Sequence, residues 1–215
     1  MTLPNLVRLF QEAAMRNTVR LGISSPELIA SHGLSWVLRR QLIRCSDWPK
    51  MGEAVYVITA PSGFARKLLT YRDFHLYAAD GNLLAAAVSE WLLIDLESRR
   101  PRPIPPHIAS LETDLAPAAA HLDHPAGKVP PPATPESTFA TRVAFSQLDF
   151  NDHLTNPVFP ELMLEPLGAD FLRHHLPRTI DISFQQEARY GDVLEAIMAA
   201  AEDGYRHALL RDGQT

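Results

Sequence analysis

The chain has almost no cysteine, since Cys45 is the only one among 215 residues. A single thiol excludes a disulfide within the chain, and such sparse use of cysteine is typical of proteins in a reducing compartment. The residues around Cys45 show no sign of thiol activation. We therefore predict that Cys45 is a packed structural residue and not a nucleophile.

Long apolar runs are also missing. The first 15 residues contain Arg8, Gln11 and Glu12 within their apolar pattern, so they lack the uninterrupted apolar core of a secretory signal peptide. The longest apolar run, Leu83 to Leu96, is interrupted by polar residues and is too short to span a bilayer. These absences predict an intracellular protein without a membrane span.

An excess of positive charge is absent as well. The net charge is -5 and the isoelectric point is about 6.0, whereas general nucleic-acid binding normally leaves a basic footprint. Hydrophobic residues make up 46% and charged residues 21%, which is typical of a soluble globular protein. A chain of 215 residues allows one large domain or two of about 100 residues, and we expect two.

The first half of the chain has the pattern of a helix followed by strands. Leu6, Phe10 and Ala14 share one side of a predicted helix that ends near Gly22, and a shorter helix follows from Pro26 to Ser31. Apolar segments with turn signals at 47–49, 61–63 and 80–82 then predict four antiparallel strands. These strands are Trp36–Ile43, Ala54–Thr59, Leu68–Tyr77 and Leu83–Asp95.

The second half repeats this layout after a proline-rich stretch. Ten prolines between Arg99 and Pro135 predict a linker that lies over the surface. A helix is then predicted over Val158–His175, weakened by Pro160 and Pro166. The predicted strands of this half are Thr141–Phe145, Thr179–Gln185, Val193–Ala201 and Tyr205–Arg211. We predict an α+β protein with domains at 1–100 and 139–215 and a linker at 101–138.

Three polar residues with a spacing of two form the candidate site. If residues 149–157 are extended, then Asp149, Asn151 and His153 point to the same side. There, Asp149 could orient His153 while Asn151 donates a hydrogen bond to an oxyanion. The same residues are also typical of an ordinary turn before a helix, with Asn156 as N-cap and Pro157 at the first helical position.

At this point the sequence resembles the acyl-acyl carrier protein thioesterases of plant plastids and bacteria. One hallmark of that family is Asp-x-Asn-x-His, present here as Asp149 to His153. A second is an aromatic-x-x-Glu followed by Gly-Asp, present as Phe184 to Glu187 and then Gly191-Asp192. Glu187 follows His153 by 34 positions, as in the family. Further similar segments are Gln11-Glu12, Trp36–Leu38, Tyr71–Phe74, Ser89–Trp91 and Arg99-Arg100.

The resemblance implies a tandem hot dog fold, in which each domain is an antiparallel sheet wrapped around a central helix. It implies hydrolysis of fatty acyl-acyl carrier protein in fatty acid biosynthesis, without a cofactor or metal, in the bacterial cytoplasm or the plastid stroma. In that mechanism Glu187 activates water, His153 protonates the leaving thiolate or acts as a second base, Asn151 binds the water or thioester oxygen, and Asp149 fixes Asn151 or His153. Which carboxylate acts directly is open.

The partners follow from the same resemblance. The acyl carrier protein would deliver its phosphopantetheine-linked chain, and a homodimer is an option. The acyl chain would lie in a slot of the first domain. Trp36, Leu38, Val57 and Phe74 either line that slot or form ordinary core. Six arginines either form a basic docking patch for the acidic carrier or are ordinary surface charges: Arg39, Arg40, Arg44, Arg99, Arg100 and Arg102.

The sequence also departs from the family. Many plant members carry Cys after the catalytic Glu, whereas this chain has Ala188, so a cysteine nucleophile is unavailable there. Relative to the family, we expect a strand to be missing at each end. Two other functions are therefore considered, a hot dog dehydratase or hydratase on 3-hydroxyacyl thioesters and an acyl-binding module without turnover. The adjacent His174 and His175 lack partner ligands for a metal.

Overall fold

The computed structural model describes residues 1–111 and 122–214. Its contacts divide the chain into two compact units. The first unit comprises Met1, Leu9–Gly127 and Arg178–Ser183, and the second comprises Thr2–Arg8, Lys128–Pro177 and Phe184–Thr215. No helix in the described ranges is long and apolar enough to cross a membrane.

Two helices begin the chain, as the apolar spacing predicts. Helix α1 covers Leu3–Arg20, and helix α2 covers Ser25–His32. Phe10 of α1 is fully buried, and its ring centroid lies 5.0 Å from that of Phe74. Helix α2 ends at Gly33, whose φ of 64° is a conformation that glycine adopts without a steric cost.

The sheet of the first unit contains six antiparallel strands, five of which follow the order β2-β3-β4-β1-β7. The two-residue β5 pairs with β4. The strands are β1 (Leu34–Cys45), β2 (Val55–Ala65), β3 (Leu69–Ala78), β4 (Leu83–Asp95), β5 (Pro101–Arg102) and, later in the chain, β7 (Thr179–Ser183).

The turn predicted at 61–63 is wrong. Strand β2 continues through Pro61 and Gly63 with a shift of register, because a bulge accommodates the proline that cannot donate to the ladder. The chain reverses instead at Arg66 and Lys67, which have φ angles of 53° and 59°.

Strand β7 pairs with β1 and therefore lies in the sheet of the first unit, although its position in the sequence suggested the second. Within β7, Ile182 is buried and Thr179 is exposed, whereas the other three residues are half-buried. β1 would otherwise present an unpaired edge, and β7 satisfies that edge with a regular antiparallel ladder.

The described parts of the linker contact the first unit. It contains a short helix α3 (Pro106–Ala109), and its residues 112–121 lie outside the described ranges. Beyond them, the backbone N–H of Leu122 donates to Asp73 at 2.9 Å. The ring of His124 stacks on Tyr71 with the centroids 3.6 Å apart. In this part of the linker, Leu122 is half-buried, whereas Asp123 and His124 are exposed.

The second unit has a three-stranded sheet in the order β6-β8-β9. Its strands are β6 (Ser137–Arg142), β8 (Val193–Ala201) and β9 (Gly204–Arg211). The strand expected at Thr141–Phe145 ends earlier than predicted, because Phe145–Gln147 forms a 3₁₀ turn. Helices α4 (Val158–Leu164) and α5 (Ala169–His174) replace the single predicted helix. The break contains Pro166 and Gly168, which has a φ of 80°.

Candidate active site

Residues 149–153 form a tight turn and not the extended segment that the alternating polar pattern suggests. The backbone N–H of Asp149 donates to the carbonyl of His153 at 2.7 Å. Oδ1 of Asp149 accepts the backbone N–H groups of Asn151 at 2.8 Å and of His153 at 3.2 Å. Asp side chains favour such local hydrogen bonds to the backbone, so they compete with extended structure. We call residues 149–153 the Asp149 turn.

The alternative interpretation as a turn before a helix is correct in part. Helix α4 begins at Val158, directly after Pro157, but Pro157 and not Asn156 occupies the capping position. Asn151 lies half-buried within the Asp149 turn. The motif is thus a turn before a helix that also carries the site residues.

Glu187 lies after β7 and outside any strand, in the segment 184–188. Its side-chain direction is therefore not set by the pleat of β7, which ends at Ser183. The segment is instead held by the backbone N–H of Leu154, which donates to the carbonyl of Ala188 at 2.7 Å. His153 and Arg189 also form an isolated antiparallel bridge. These backbone contacts bring the two hallmark motifs side by side.

The side chains of His153 and Glu187 meet. Nε2 of His153 lies 3.2 Å from Oε2 of Glu187, and the two side chains are 16% and 34% exposed. The guanidinium of Arg189 lies 3.3 Å from the same Nε2. A protonated Nε2 donates to the carboxylate, whereas an unprotonated Nε2 accepts from Arg189. The position of one proton therefore decides which contact is a hydrogen bond.

Arg211 and Asp192 support this site, and sequence reasoning missed the arginine. Nη1 of Arg211 donates to the carbonyl of Glu187 at 2.8 Å and to Asp192 at 3.2 Å. The backbone N–H of Arg189 also donates to Asp192, at 2.9 Å. This backbone hydrogen bond, followed by the contact with Arg211, lowers the pKa of Asp192. The Gly-Asp hallmark contained Asp192, but nothing in the sequence pointed from it to β9.

Ala188 faces away from the polar site. It is 4% exposed and belongs to an apolar cluster of the second unit. The other buried members are Val143, Leu154, Val158, Leu162 and Leu194. Glu187 therefore presents its carboxylate to His153, whereas Ala188 packs in the core of the second unit.

The four proposed acyl-slot residues lie in the first unit. Leu38 and Phe74 are buried, whereas Val57 is half-buried. Trp36 packs against the apolar cluster around Leu28, and its indole N–H donates to the carbonyl of Ile23 at 2.8 Å. The environments of Leu38, Phe74 and Trp36 are those of ordinary core residues.

The proposed basic patch loses one member. Arg40 is 6% exposed and donates to the carboxylate of Asp181 and to the carbonyls of Ala126 and Gly127. It is therefore unavailable to a partner. The half-exposed Arg39 pairs with the buried Glu90, and Arg102 lies 3.9 Å from Asp95. Both of these arginines are exposed, as are Arg44, Arg99 and Arg100.

Of the two adjacent histidines, His174 is the last residue of α5 and His175 follows it in an extended conformation. The rings of His174 and His175 contact the carbonyls of Asp170 and Phe171 at 2.8 and 3.0 Å. Across residues 1–111 and 122–214, no group of three or more His, Cys, Asp or Glu side chains is arranged to hold a metal.

Comparison with known families gives two matches that follow each other along the chain. The model described as "Acyl-ACP thioesterase N-terminal domain" matches residues 1–111. The model described as "Acyl-ACP thioesterase C-terminal domain" matches residues 133–214. Together these matches include all four site residues of the second unit.

Individual plant proteins are similar at low identity. An oleoyl-acyl carrier protein thioesterase 2 from the chloroplast of Arabidopsis thaliana is 22% identical over 91% of this chain and 57% of its own length. A chloroplastic oleoyl-acyl carrier protein thioesterase of Coriandrum sativum is 22% identical over 94% of the chain and 58% of its own length. The chain thus spans little more than half the length of these relatives.

Solved structures establish the fold. A 12:0-ACP thioesterase from Umbellularia californica has a TM-score of 0.87 and 17% identity, covering all of this chain and 86% of that one. An acyl-ACP thioesterase from Bacteroides thetaiotaomicron has a TM-score of 0.84 and 20% identity, with the same coverage. The predicted α+β fold of the tandem hot dog type is confirmed.

Proposed function

The chain belongs to the acyl-ACP thioesterase family, and from that premise we propose that it hydrolyses fatty acyl-acyl carrier protein to free fatty acid and holo carrier. One observation carries the proposal. Nε2 of His153 and Oε2 of Glu187 lie 3.2 Å apart, and the two residues come from separate hallmark motifs. A carboxylate and an imidazole in contact can act as general base and general acid in the same reaction.

The reaction starts with Glu187 ionised and His153 protonated. Glu187 takes a proton from water while the water oxygen bonds to the thioester carbon, which gives a tetrahedral oxyanion. As the oxyanion collapses, the C–S bond breaks and His153 protonates the departing thiolate. Glu187 then returns its proton to His153 across the 3.2 Å contact, so both groups recover their starting states.

Arg189 has a role at the intermediate stage. Once His153 has given up its proton, the Nε2 lone pair accepts a hydrogen bond from the Arg189 guanidinium, 3.3 Å away. This contact holds the ring in place until Glu187 returns the proton. Asn151 supplies the amide that binds the water or the thioester oxygen, and Asp149 shapes the turn that carries Asn151 and His153.

The carrier protein is the proposed partner, and its acidic surface would meet exposed arginines. Five of the six candidate arginines are exposed, and Arg39 and Arg102 among them already pair with Glu90 and Asp95; the other three are Arg44, Arg99 and Arg100. The named plant relatives are chloroplastic, so a plant protein of this kind would work in the plastid stroma and a bacterial one in the cytoplasm. We also propose a homodimer, which a measurement of the molar mass in solution by light scattering would test.

The proposal is tested by thiol release from acyl carrier protein substrates of medium and long chain length. We expect Glu187→Gln and His153→Ala to lower kcat by about 100-fold or more. Glu161→Gln and His174→Ala are matched controls, because both residues are exposed in the same unit and lie outside the site. They should leave kcat within about twofold of wild type.

Other outcomes would identify other functions. Loss of the 3-hydroxyacyl substrate without release of thiol would indicate a dehydratase. Tight binding of acyl carrier protein by a folded sample, again without thiol release, would indicate an acyl-binding module. Either result would overturn the thioesterase proposal.

A further inference from the structure

Arg211, at the end of β9, contacts three groups in the segment 186–192, which contains Glu187. Nη1 of Arg211 donates to the backbone carbonyl of Glu187 at 2.8 Å and to the carboxylate of Asp192 at 3.2 Å. Nη2 of Arg211 lies 3.4 Å from Oε1 of Gln186. The planar guanidinium, with its donors fixed in a fork, can hold several acceptors in one arrangement.

The loop that Arg211 contacts has little regular structure of its own. Residues 184–188 belong to no helix or strand, so no hydrogen-bond ladder fixes their backbone. The backbone N–H of Leu154 donates to the carbonyl of Ala188 at 2.7 Å. The guanidinium of Arg211 donates to the carbonyl of the preceding residue, Glu187, at 2.8 Å. Adjacent carbonyls are thus bound by two different residues, and the Glu187 side chain projects from the Cα atom directly before the first of these carbonyls.

Asp192 keeps Arg211 in this position. Its carboxylate accepts hydrogen bonds from the backbone N–H of Arg189 at 2.9 Å and from the guanidinium of Arg211. Asp192 therefore links Arg211 to Arg189, which directly follows residues 184–188. The side chains of Arg211 and Asp192 are 37% and 28% exposed, which leaves the pair partly shielded from solvent. A partly buried, charge-assisted pair of this kind fixes geometry more firmly than an exposed ion pair.

We propose that Arg211 is a positioning residue, which fixes the Glu187 carboxylate within reach of His153. This inference rests on the proposed function, because it concerns the same site. Arg211 touches the Glu187 backbone and not the reacting atoms, so its effect on catalysis passes through Glu187. Misplacement of a reacting group by about 1 Å can cost up to about 100-fold in rate.

The kinetic test compares Arg211→Met with Arg211→Lys. We expect Arg211→Met to lower kcat by about 10- to 100-fold with KM within about twofold. Arg211→Lys should recover part of the loss, because an ammonium can reach one acceptor but cannot bridge all of them. The matched control is Arg206→Met, since Arg206 lies on the same strand and pairs only loosely with Asp203, at 3.9 Å. It should leave kcat unchanged.

A double variant tests whether Arg211 acts through Glu187. In a Glu187→Gln background, Arg211→Met should lower the residual kcat by no more than about twofold, because the positioned group has already been removed. A merely structural role would lower kcat by the same factor in both backgrounds. Equal losses would therefore overturn the proposal.

A substrate-free measurement separates this inference from the proposed function. The ring C–H resonances of His153, assigned by NMR with His153→Ala, report its contact with Glu187. Arg211→Met should move them in the same direction as Glu187→Gln, while Arg206→Met leaves them in place. If Arg211→Met leaves them at their wild-type positions in a folded sample, Arg211 does not position Glu187. This readout holds whether or not the wild type releases thiol.

Discussion

The carboxylate of Asp149 holds the backbone of His153 and not its ring. Oδ1 of Asp149 lies 3.2 Å from the backbone N of His153, while Nε2 of the same histidine faces Glu187. Asp149 therefore acts on the shape of the turn. The geometry leaves Glu187 as the carboxylate that meets the imidazole.

Two substitutions of Asp149 distinguish its effect on the shape of the turn from the effect of its negative charge. Asp149→Asn keeps an oxygen that can accept from Asn151 and His153, so we expect kcat to stay within about fivefold of wild type. Asp149→Ala removes both hydrogen bonds and should lower the free energy of unfolding by about 1 to 2 kcal/mol and kcat by more than about tenfold. Urea unfolding and thiol release measure the two effects. An Asn variant as inactive as the Ala variant would mean that the charge of Asp149 acts in the chemistry.

Ala188 offers a second test, because many plant members of the family carry cysteine there. The residue is 4% exposed within the apolar cluster of the second unit, so Ala188→Cys should place its thiol in the core. We expect kcat to stay within about twofold of wild type and the folded protein to react slowly with a thiol reagent at about pH 8.

The native Cys45 does not interfere with the measurement of thiol reactivity in the folded protein. It is buried, and burial raises its pKa to about 11. The folded Ala188→Cys variant should therefore show no fast thiol, and the unfolded variant should show two. A fast-reacting thiol in the folded variant, absent from wild type, would place residue 188 at an accessible site.

Local patterns predicted the elements whose structure depends on local sequence. The spacing of Leu6, Phe10 and Ala14 gave α1, and strand β4 has the predicted limits of Leu83 and Asp95. The two hallmark motifs also predicted that His153 and Glu187 belong to one site, although the spacing alone could not show their contact. These features share a strong periodicity or a specific pair of motifs.

The remaining features depend on contacts between distant residues or on local competition. β7 pairs with β1, whose residues precede it by about 140 positions, and the sequence around β7 carries no trace of that partner. The Asp149 turn arises because a side-chain oxygen captures two backbone N–H groups, which the alternation of polar residues conceals. Arg211 reaches Glu187 only because the fold brings the end of β9 to that loop.

Phe74 tests the distinction between core and acyl slot. Its side chain is 1% exposed and its ring packs on Phe10, so we expect Phe74→Ala to lower the free energy of unfolding by about 3 to 5 kcal/mol. Val57→Ala is the comparison, and the half-buried Val57 should cost about 1 kcal/mol or less. Chemical denaturation measures both. A small loss for Phe74→Ala, together with a changed preference for acyl chain length, would assign Phe74 to the slot.

His207 on β9 makes the stability of the protein depend on pH. Burial lowers its pKa, an effect that a hydrogen bond with the Met163 carbonyl partly offsets. Within the described residues, its buried Nδ1 has no hydrogen-bond partner. Because the folded pKa lies below the unfolded value of about 6.5, the unfolded chain binds the proton more tightly. The contribution of His207 to the free energy of unfolding is therefore fully present above about pH 6.5. It is lost as the pH falls through the folded pKa.

His207→Gln removes this titration and keeps a donor for the Met163 carbonyl. We expect the free energy of unfolding of wild type to fall more steeply than that of His207→Gln between about pH 7.5 and pH 5. The exposed His174→Gln serves as the control and should follow the wild-type slope. Urea denaturation at a series of pH values gives the slopes. Parallel curves for wild type and His207→Gln would show that His207 binds its proton equally well in the folded and unfolded chain.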